Sequence, residues 1–230
     1  MSGVVIMSKL GFSSISLAIT LSCASMAQAS SIQLDSFVSS SPAIAAIQFN
    51  DGATHLNESV YASAFNGQFS NGKTGSFVSY CSDIFQTFNW SSPFSTVAKS
   101  TTDQFGATKA LAIGQLYSQN YTVSLSSAAN SAAFQLALWE IINDDNYSLS
   151  SGKFSATGTN AGILNQAGIW LTNLAGAGNL FDFTVYTSNT AQDQLVATVS
   201  AVPLPAALPL MASALGLFGF HLRRRKQSDA

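Results

Sequence analysis

Charged residues are scarce in this 230-residue chain, and basic residues are the scarcest over most of its length. Only 9% of the residues are charged. Between residues 30 and 201, four lysines stand against ten acidic residues, which gives this stretch a net charge near minus six. Binding to nucleic acid requires clustered cations that neutralise phosphates, so we expect no nucleic-acid partner.

Cysteine and histidine are nearly absent as well. The chain has two cysteines and two histidines, and Cys81 is the single cysteine of residues 30–201. An internal disulfide is therefore excluded there, and a Cys–His nucleophile pair would need His55, which lies in a predicted turn over residues 51–55 and is expected to be solvated. The sequence has no Ser elbow, zinc-protease motif or P-loop. We therefore expect neither an enzyme nor a bound metal or cofactor.

The N-terminal end has the pattern of an export signal. Lys9 precedes an apolar stretch over residues 10–23, and Ala27, Gln28 and Ala29 then form an A-x-A cleavage pattern. This predicts a signal peptide over residues 1–29 and a mature body of residues 30–201, a length that suits one domain with its own core. A retained N-terminal helix is the alternative, and the short, Ser- and Thr-rich stretch disfavours it.

The C-terminal end has a second distinctive layout. A motif containing two prolines precedes 17 apolar or small residues, 206–222, and four cations follow them. The motif consists of Val202, Pro203, Leu204 and Pro205, and the cations are Arg223, Arg224, Arg225 and Lys226. Such an apolar run is near the lower limit for a membrane-spanning helix, and the cations would stay cytoplasmic. A plain C-terminal membrane anchor would have this form.

This tail, over residues 202–230, also resembles the PEP-CTERM sorting signal of Gram-negative bacteria that make exopolysaccharide. Leu204 stands where an acidic residue usually lies between the two prolines. The resemblance implies recognition by an exosortase-type processing enzyme and attachment to the membrane through the tail. It also implies a final location at the cell surface or in the extracellular matrix of a biofilm.

The apolar periodicity of the body predicts strands, then helices, then strands again. Alternation between turn signals predicts strands over residues 32–38, 43–49, 59–65, 75–80 and 84–90. Helical spacing predicts helices over residues 102–117, 128–143 and 160–174, and alternation returns over 181–187 and 194–200. This order predicts the α+β class, as a β-sandwich or barrel with a helical insertion.

Two short motifs of the body are the candidates for chemistry. The first is Tyr-Cys-Ser-Asp, which contains Tyr80, Cys81 and Asp83 and lies between two predicted strands. The second is Phe-Gln-Leu-Ala-Leu-Trp, which contains Gln135 and Trp139 and lies on the most strongly predicted helix. Together they resemble the Cys and Gln motifs of the thioester domains of bacterial surface adhesins, with Phe in place of Thr before the Gln.

The resemblance implies an intramolecular thioester between Cys81 and Gln135. The sulfur would attack the side-chain carbonyl of Gln135 and release ammonia, aromatic residues such as Tyr80 and Trp139 would exclude water, and Asp83 could orient a neighbouring group. A partner carrying an amine or a hydroxyl would then open the bond. Alternatively, Cys81 is a small buried apolar residue and Gln135 satisfies a buried backbone group. The protein would then be a non-covalent structural or carbohydrate-associated matrix protein on the same scaffold.

Overall fold

The computed structural model describes residues 29–70, 75–176 and 178–200. The strands in these ranges are β1 Ala29–Phe37, β2 Ala43–Asn50, β3 His55–Ala62, β4 Phe65–Ser70, β5 Ser76–Cys81, β6 Phe94–Lys99, β7 Phe154–Ser155, β8 Phe181–Thr187 and β9 Gln194–Val199. The helices are α1 Thr101–Phe105, α2 Ala107–Ser124, α3 Ala128–Asn143 and α4 Ala161–Thr172. The predicted signal peptide, apart from Ala29, and the predicted sorting tail lie outside the described residues.

Six strands close into an antiparallel barrel in the order β1-β4-β5-β9-β8-β6. Strand β1 pairs with both β4 and β6, which completes the closure. Strands β2, β3 and β7 form a separate sheet in the order β3-β2-β7. All four helices lie between β6 and β8 in the chain. The predicted α+β fold, a barrel with a helical insertion, is confirmed.

Helix α3 is the central helix of the insertion. Ser127, in an extended conformation, begins it by accepting the backbone N–H of Asn130, and Asp144 ends it. Every residue from Ser131 to Ile141 is buried. A helix that is buried all round must pack inside the molecule rather than on its surface.

The ring of Phe134 shows how α3 joins the other layers. Its centroid lies 4.6 Å from that of Tyr80 on β5, 4.9 Å from that of Tyr117 on α2 and 6.2 Å from that of Trp170 on α4. Phe134 is completely buried, which contributes about 1.5–3 kcal/mol to stability. The barrel and the helices therefore share one core, and α3 is fixed against β5.

The predicted helix over residues 102–117 is wrong in its bounds. Gly106 interrupts it with a φ of +83°, and the helical segment after the break continues to Ser124. Ser100 caps α1 by accepting the N–H of Asp103. Glycine adopts this left-handed conformation without steric cost, so one apolar pattern covers two helices.

Two of the predicted strands are also wrong. The strand predicted over 59–65 is divided at Ser63 and Ala64, where the N–H of Ala64 donates to Ser131 Oγ on α3 instead of to a strand. The strand predicted over 84–90 is an irregular loop, and the following strand, β6, was not predicted. The alternating apolar residues of that loop pack as separate rings against neighbouring sheets, for example Phe85 on Phe49 at 5.1 Å.

Candidate functional site

Cys81 lies at the end of β5 and is 1% exposed. It is a free thiol in the structure. On one side, β9 places Gln194 opposite it. On the other side, the pairing between β4 and β5 reaches only Ser79, opposite Phe65. The backbone of Cys81 therefore has no strand partner on the β4 side.

The side chain of Gln135 fills that position. Cys81 N–H donates to Gln135 Oε1 at 3.0 Å, and Gln135 Nε2 donates to the carbonyl oxygen of Cys81 at 2.7 Å. Gln135 is completely buried on α3. Its amide thus acts as a substitute strand neighbour, and the first of these bonds polarises its carbonyl group. The two residues with the proposed reacting groups are adjacent in the fold.

The thiol of Cys81 is held by the backbone of Asp83. It donates to the carbonyl oxygen of Asp83 at 2.7 Å and accepts the N–H of Asp83 at 3.4 Å. Burial raises the pKa of Cys81 far above its usual range, and the carboxylates of Asp83 and Asp193 raise it further. The sulfur is therefore a neutral thiol at physiological pH, protected from oxidation and from solvent.

The side chain of Asp83 mainly forms a turn. One carboxylate oxygen accepts the N–H of Phe85 at 2.8 Å, while the other is buried without a partner. The indole N–H of Trp139 lies beside the sulfur of Cys81 and acts to lower the pKa of the thiol, because it favours the thiolate. In the neutral state this buried N–H makes no hydrogen bond of normal geometry.

Buried polar atoms without partners are concentrated at this site. In the described part of the chain six such side-chain atoms occur, and four belong to residues in or next to the site: Ser82, Asp83, Trp139 and Gln192. Native proteins leave few polar groups in this state, and functional sites are where exceptions are expected. The concentration marks the end of β5 as the most unusual polar environment in the described structure.

Tyr80 connects the site to the helices. Its hydroxyl donates to Ser124 Oγ at 2.8 Å and lies 3.2 Å from Ser131 Oγ, and the residue is completely buried. Burial raises its pKa well above the usual range. Tyr80 is therefore a neutral structural group that fixes β5 against α2 and α3.

The structure brings the predicted site residues into one region: Tyr80, Cys81, Asp83, Gln135 and Trp139. Sequence reasoning missed Asp193, whose carbonyl oxygen accepts the N–H of Ser82 at 2.9 Å and whose carboxylate influences the thiol. Burial raises the pKa of Asp193 as well. No sequence signal indicated this residue, because it follows an ordinary polar turn. The sorting motif and the basic residues after it lie outside the described residues.

Among residues 29–70, 75–176 and 178–200, no group of three or more histidine, cysteine or acidic side chains is placed to hold a metal ion. None of the helices in those ranges has both the length and the apolar character needed to cross a bilayer.

Comparisons with known proteins give structural similarities only. No family model matches the sequence, and no curated protein matches it. The N-terminal thioester domain of a surface protein from Clostridium perfringens is similar in structure, with a TM-score of 0.46, 10% identity and coverage of 75% of this chain and 100% of that one. The N-terminal domain of the Streptococcus pyogenes pilus tip adhesin Cpa has a TM-score of 0.41, 12% identity and coverage of 73% and 98%.

Proposed function

We propose that this protein is an exported surface adhesin that captures a partner covalently through a Cys81–Gln135 thioester. The observation that carries the proposal is the double hydrogen bond between the Gln135 amide and the backbone of Cys81. It holds the amide carbonyl beside the only cysteine of the body, in a fully buried position. Fixed proximity of this kind is what a reaction between a thiol and a poor electrophile requires.

The first reaction step forms the S–Cδ bond and breaks the Cδ–Nε2 bond. Sγ of Cys81 attacks Cδ of Gln135, the thiol proton passes to Nε2, and ammonia leaves. The N–H of Cys81 already donates to Oε1 and would stabilise the negative charge that develops there. Because burial keeps the thiol protonated, the attack is slow, and we expect it to occur once, during maturation.

The second step consumes the stored acyl group. A partner amine attacks Cδ, an amide forms between the partner and the side chain of residue 135, and the thiol of Cys81 is regenerated. A partner hydroxyl would form an ester in the same way. Neither product is released, so the protein acts once and does not turn over, which is why we assign it no enzymatic activity. Burial excludes water, which would otherwise hydrolyse the bond.

The sequence signals at the two ends support the surface location. The A-x-A pattern at residue 29 supports export, and the tail of residues 202–230 supports membrane insertion followed by exosortase-type sorting in a Gram-negative host. Replacing the four cations, residues 223–226, with neutral residues should leave the protein mis-sorted. Cell fractionation measures this, and an unchanged distribution would contradict the sorting part of the proposal.

Intact mass spectrometry tests the thioester directly. The purified protein should be one ammonia lighter than its sequence requires, and methylamine should add across that deficit and expose one titratable thiol. The Cys81→Ala and Gln135→Ala variants are the controls and should show the full sequence mass with no methylamine adduct. A full mass for the unmodified chain, with residue 135 still glutamine, would mean that the bond does not form.

A further inference from the structure

A second candidate site lies where the barrel meets the three-stranded sheet, and three aromatic side chains contact one another there, two of them exposed and one half-buried. Trp90 is 44% exposed and Tyr61 is 57% exposed, and Phe37 lies between them with centroid distances of 4.9 Å to Trp90 and 5.6 Å to Tyr61. We call these three residues the aromatic platform. Large exposed rings that contact one another leave apolar surface in water, which requires an explanation in binding or packing.

The position of Trp90 is fixed rather than accidental. Its ring also packs edge-on against Phe88, with 4.7 Å between centroids. The next residue, Ser91, has a φ of +53°, and its N–H donates to the carbonyl oxygen of Leu34 on β1 at 2.8 Å. A non-glycine residue in the left-handed region is uncommon and carries a steric cost. This strained residue and its hydrogen bond to β1 hold the exposed indole of Trp90 against the barrel.

Beside the platform, a β-bulge presents a carboxylate. The pairing of β1 with β4 slips between Leu34 and Ser36, so that Asp35 is an extra residue on β1. Bulges of this kind redirect a side chain. Asp35 Oδ1 accepts from Gln33 Nε2 at 2.7 Å, and Oδ2 accepts from Gln68 Nε2 at 3.0 Å. The two amides hold the carboxylate in one orientation before any ligand arrives.

Two rings of the platform, Phe37 and Trp90, share one open cavity of about 370 Å³ with the carboxylate of Asp35. It falls in the size range of small-ligand pockets, about 300–1,000 Å³. Its lining consists of Asp35, Ser36, Phe37, Ser39, Ser40 and Trp90. Two rings, three hydroxyls and a fixed carboxylate therefore converge on the same space.

We propose that this cavity binds a pyranose unit of a neutral polysaccharide. The C–H face of a sugar ring can pack on the indole, and its hydroxyls can donate to Asp35 and exchange hydrogen bonds with the three serines. None of the described residues that line the cavity is a cation, and Asp35 would repel a uronate, so a neutral polysaccharide fits better than an acidic one. A lysine side chain is the competing occupant, because its ammonium group would be attracted to Asp35, and the titration with a lysine-rich peptide separates the two ligands. This site is independent of the Cys81–Gln135 chemistry.

Fluorescence titration of the full-length chain tests the proposal. The probes are soluble neutral glycans (dextran, laminarin, galactomannan and hydroxyethyl cellulose), with polygalacturonate and a lysine-rich peptide as competitor classes. The chain has three tryptophans, of which Trp139 and Trp170 are buried, so a change on ligand addition reports on Trp90. We expect at least one neutral glycan to change the emission and to retard the protein in an affinity gel. Polygalacturonate and the peptide should do neither.

Matched variants make the result specific. Trp90→Ala should weaken retention in the affinity gel about tenfold, or about 1.4 kcal/mol, and Asp35→Asn should weaken it less. Phe85→Ala removes an equally exposed ring from the same loop, outside the platform, and should bind as the unmodified protein does. Cys81→Ala should also bind normally, which separates this site from the thioester. The proposal is overturned if no neutral glycan binds, if Trp90→Ala binds unchanged while its thermal unfolding shows a folded protein, or if the lysine-rich peptide is preferred.

Discussion

Replacing Glu140 with glutamine should remove part of the pH dependence of the protein's stability. Glu140 lies on α3 with no exposed surface. One carboxylate oxygen accepts the N–H of Ser148 at 2.8 Å, and the other is buried without a partner. Burial, with a smaller contribution from the neighbouring carboxylate of Asp144, raises the pKa of Glu140 from 4.5 to about 7, although Lys109 acts in the opposite direction.

The direction in which stability changes with pH follows from which state of the protein binds the proton. Between pH 4.5 and about 7 the folded protein keeps the proton of Glu140 and the unfolded chain has lost it, so the free energy of unfolding falls as the pH rises through this window. The contribution is complete below about pH 4.5 and is lost above about pH 7. With about 1.36 kcal/mol for each pH unit of separation between the two pKa values, the loss from pH 5 to pH 8 is at most about 2.5 kcal/mol.

Urea unfolding of the unmodified protein and of Glu140→Gln at pH 5, 6, 7 and 8 measures this effect. Glutamine keeps an acceptor for Ser148 and does not ionise, so the difference in unfolding free energy between the two proteins should shift in favour of the variant by up to about 2.5 kcal/mol over this range. Asp182→Asn is the control, because it removes a carboxylate from an exposed position. Curves for Glu140→Gln that run parallel to those of the unmodified protein would refute the reasoning.

Three further substitutions have defined outcomes. Tyr80→Phe removes the hydroxyl that joins β5 to two buried serines and should cost about 1–3 kcal/mol in chemical denaturation; a loss below about 0.5 kcal/mol would contradict the role given to that hydroxyl. Gly67→Ala would place a methyl group 2.5 Å from the buried ring of Phe77 and 2.8 Å from a backbone oxygen, so thermal unfolding should show a loss of about 1–3 kcal/mol, and an unchanged melting temperature would count against it. Trp139→Phe removes a buried N–H without a partner but leaves a cavity in the core, so its informative effect is on rate: the methylamine reaction should slow because the departing thiolate of Cys81 loses a favourable dipole, and equal rates by mass spectrometry would argue against that role.

The features that could be predicted from the sequence are those set by interactions between residues close together in the chain. The motifs around Cys81 and Gln135 were recognisable because their residues lie within a few positions of one another. Helix α3 was predicted with its bounds, since a serine cap and a long apolar run coincide there. By contrast, Asp193 reaches the site only through the pairing of β5 with β9, which no short segment encodes. The loop after Cys81 was predicted as a strand because its aromatic residues alternate with polar ones, but this alternation reflects the packing of each ring against a neighbouring strand.

The site depends on where β4 begins. If β4 began before Phe65, its first residue, the backbone of Cys81 would pair with that strand and the amide of Gln135 could not occupy the same position. Instead, a side-chain amide makes two strand-like hydrogen bonds, and the same N–H that satisfies it also activates it. Formation of the proposed thioester would expel Nε2 and leave the carbonyl oxygen of Cys81 without its donor, at a cost of about 1–3 kcal/mol. The thioester would therefore be less well hydrogen-bonded than the starting amide. Ammonia would have to escape for the bond to persist, and the unsatisfied carbonyl would favour its later opening by an amine.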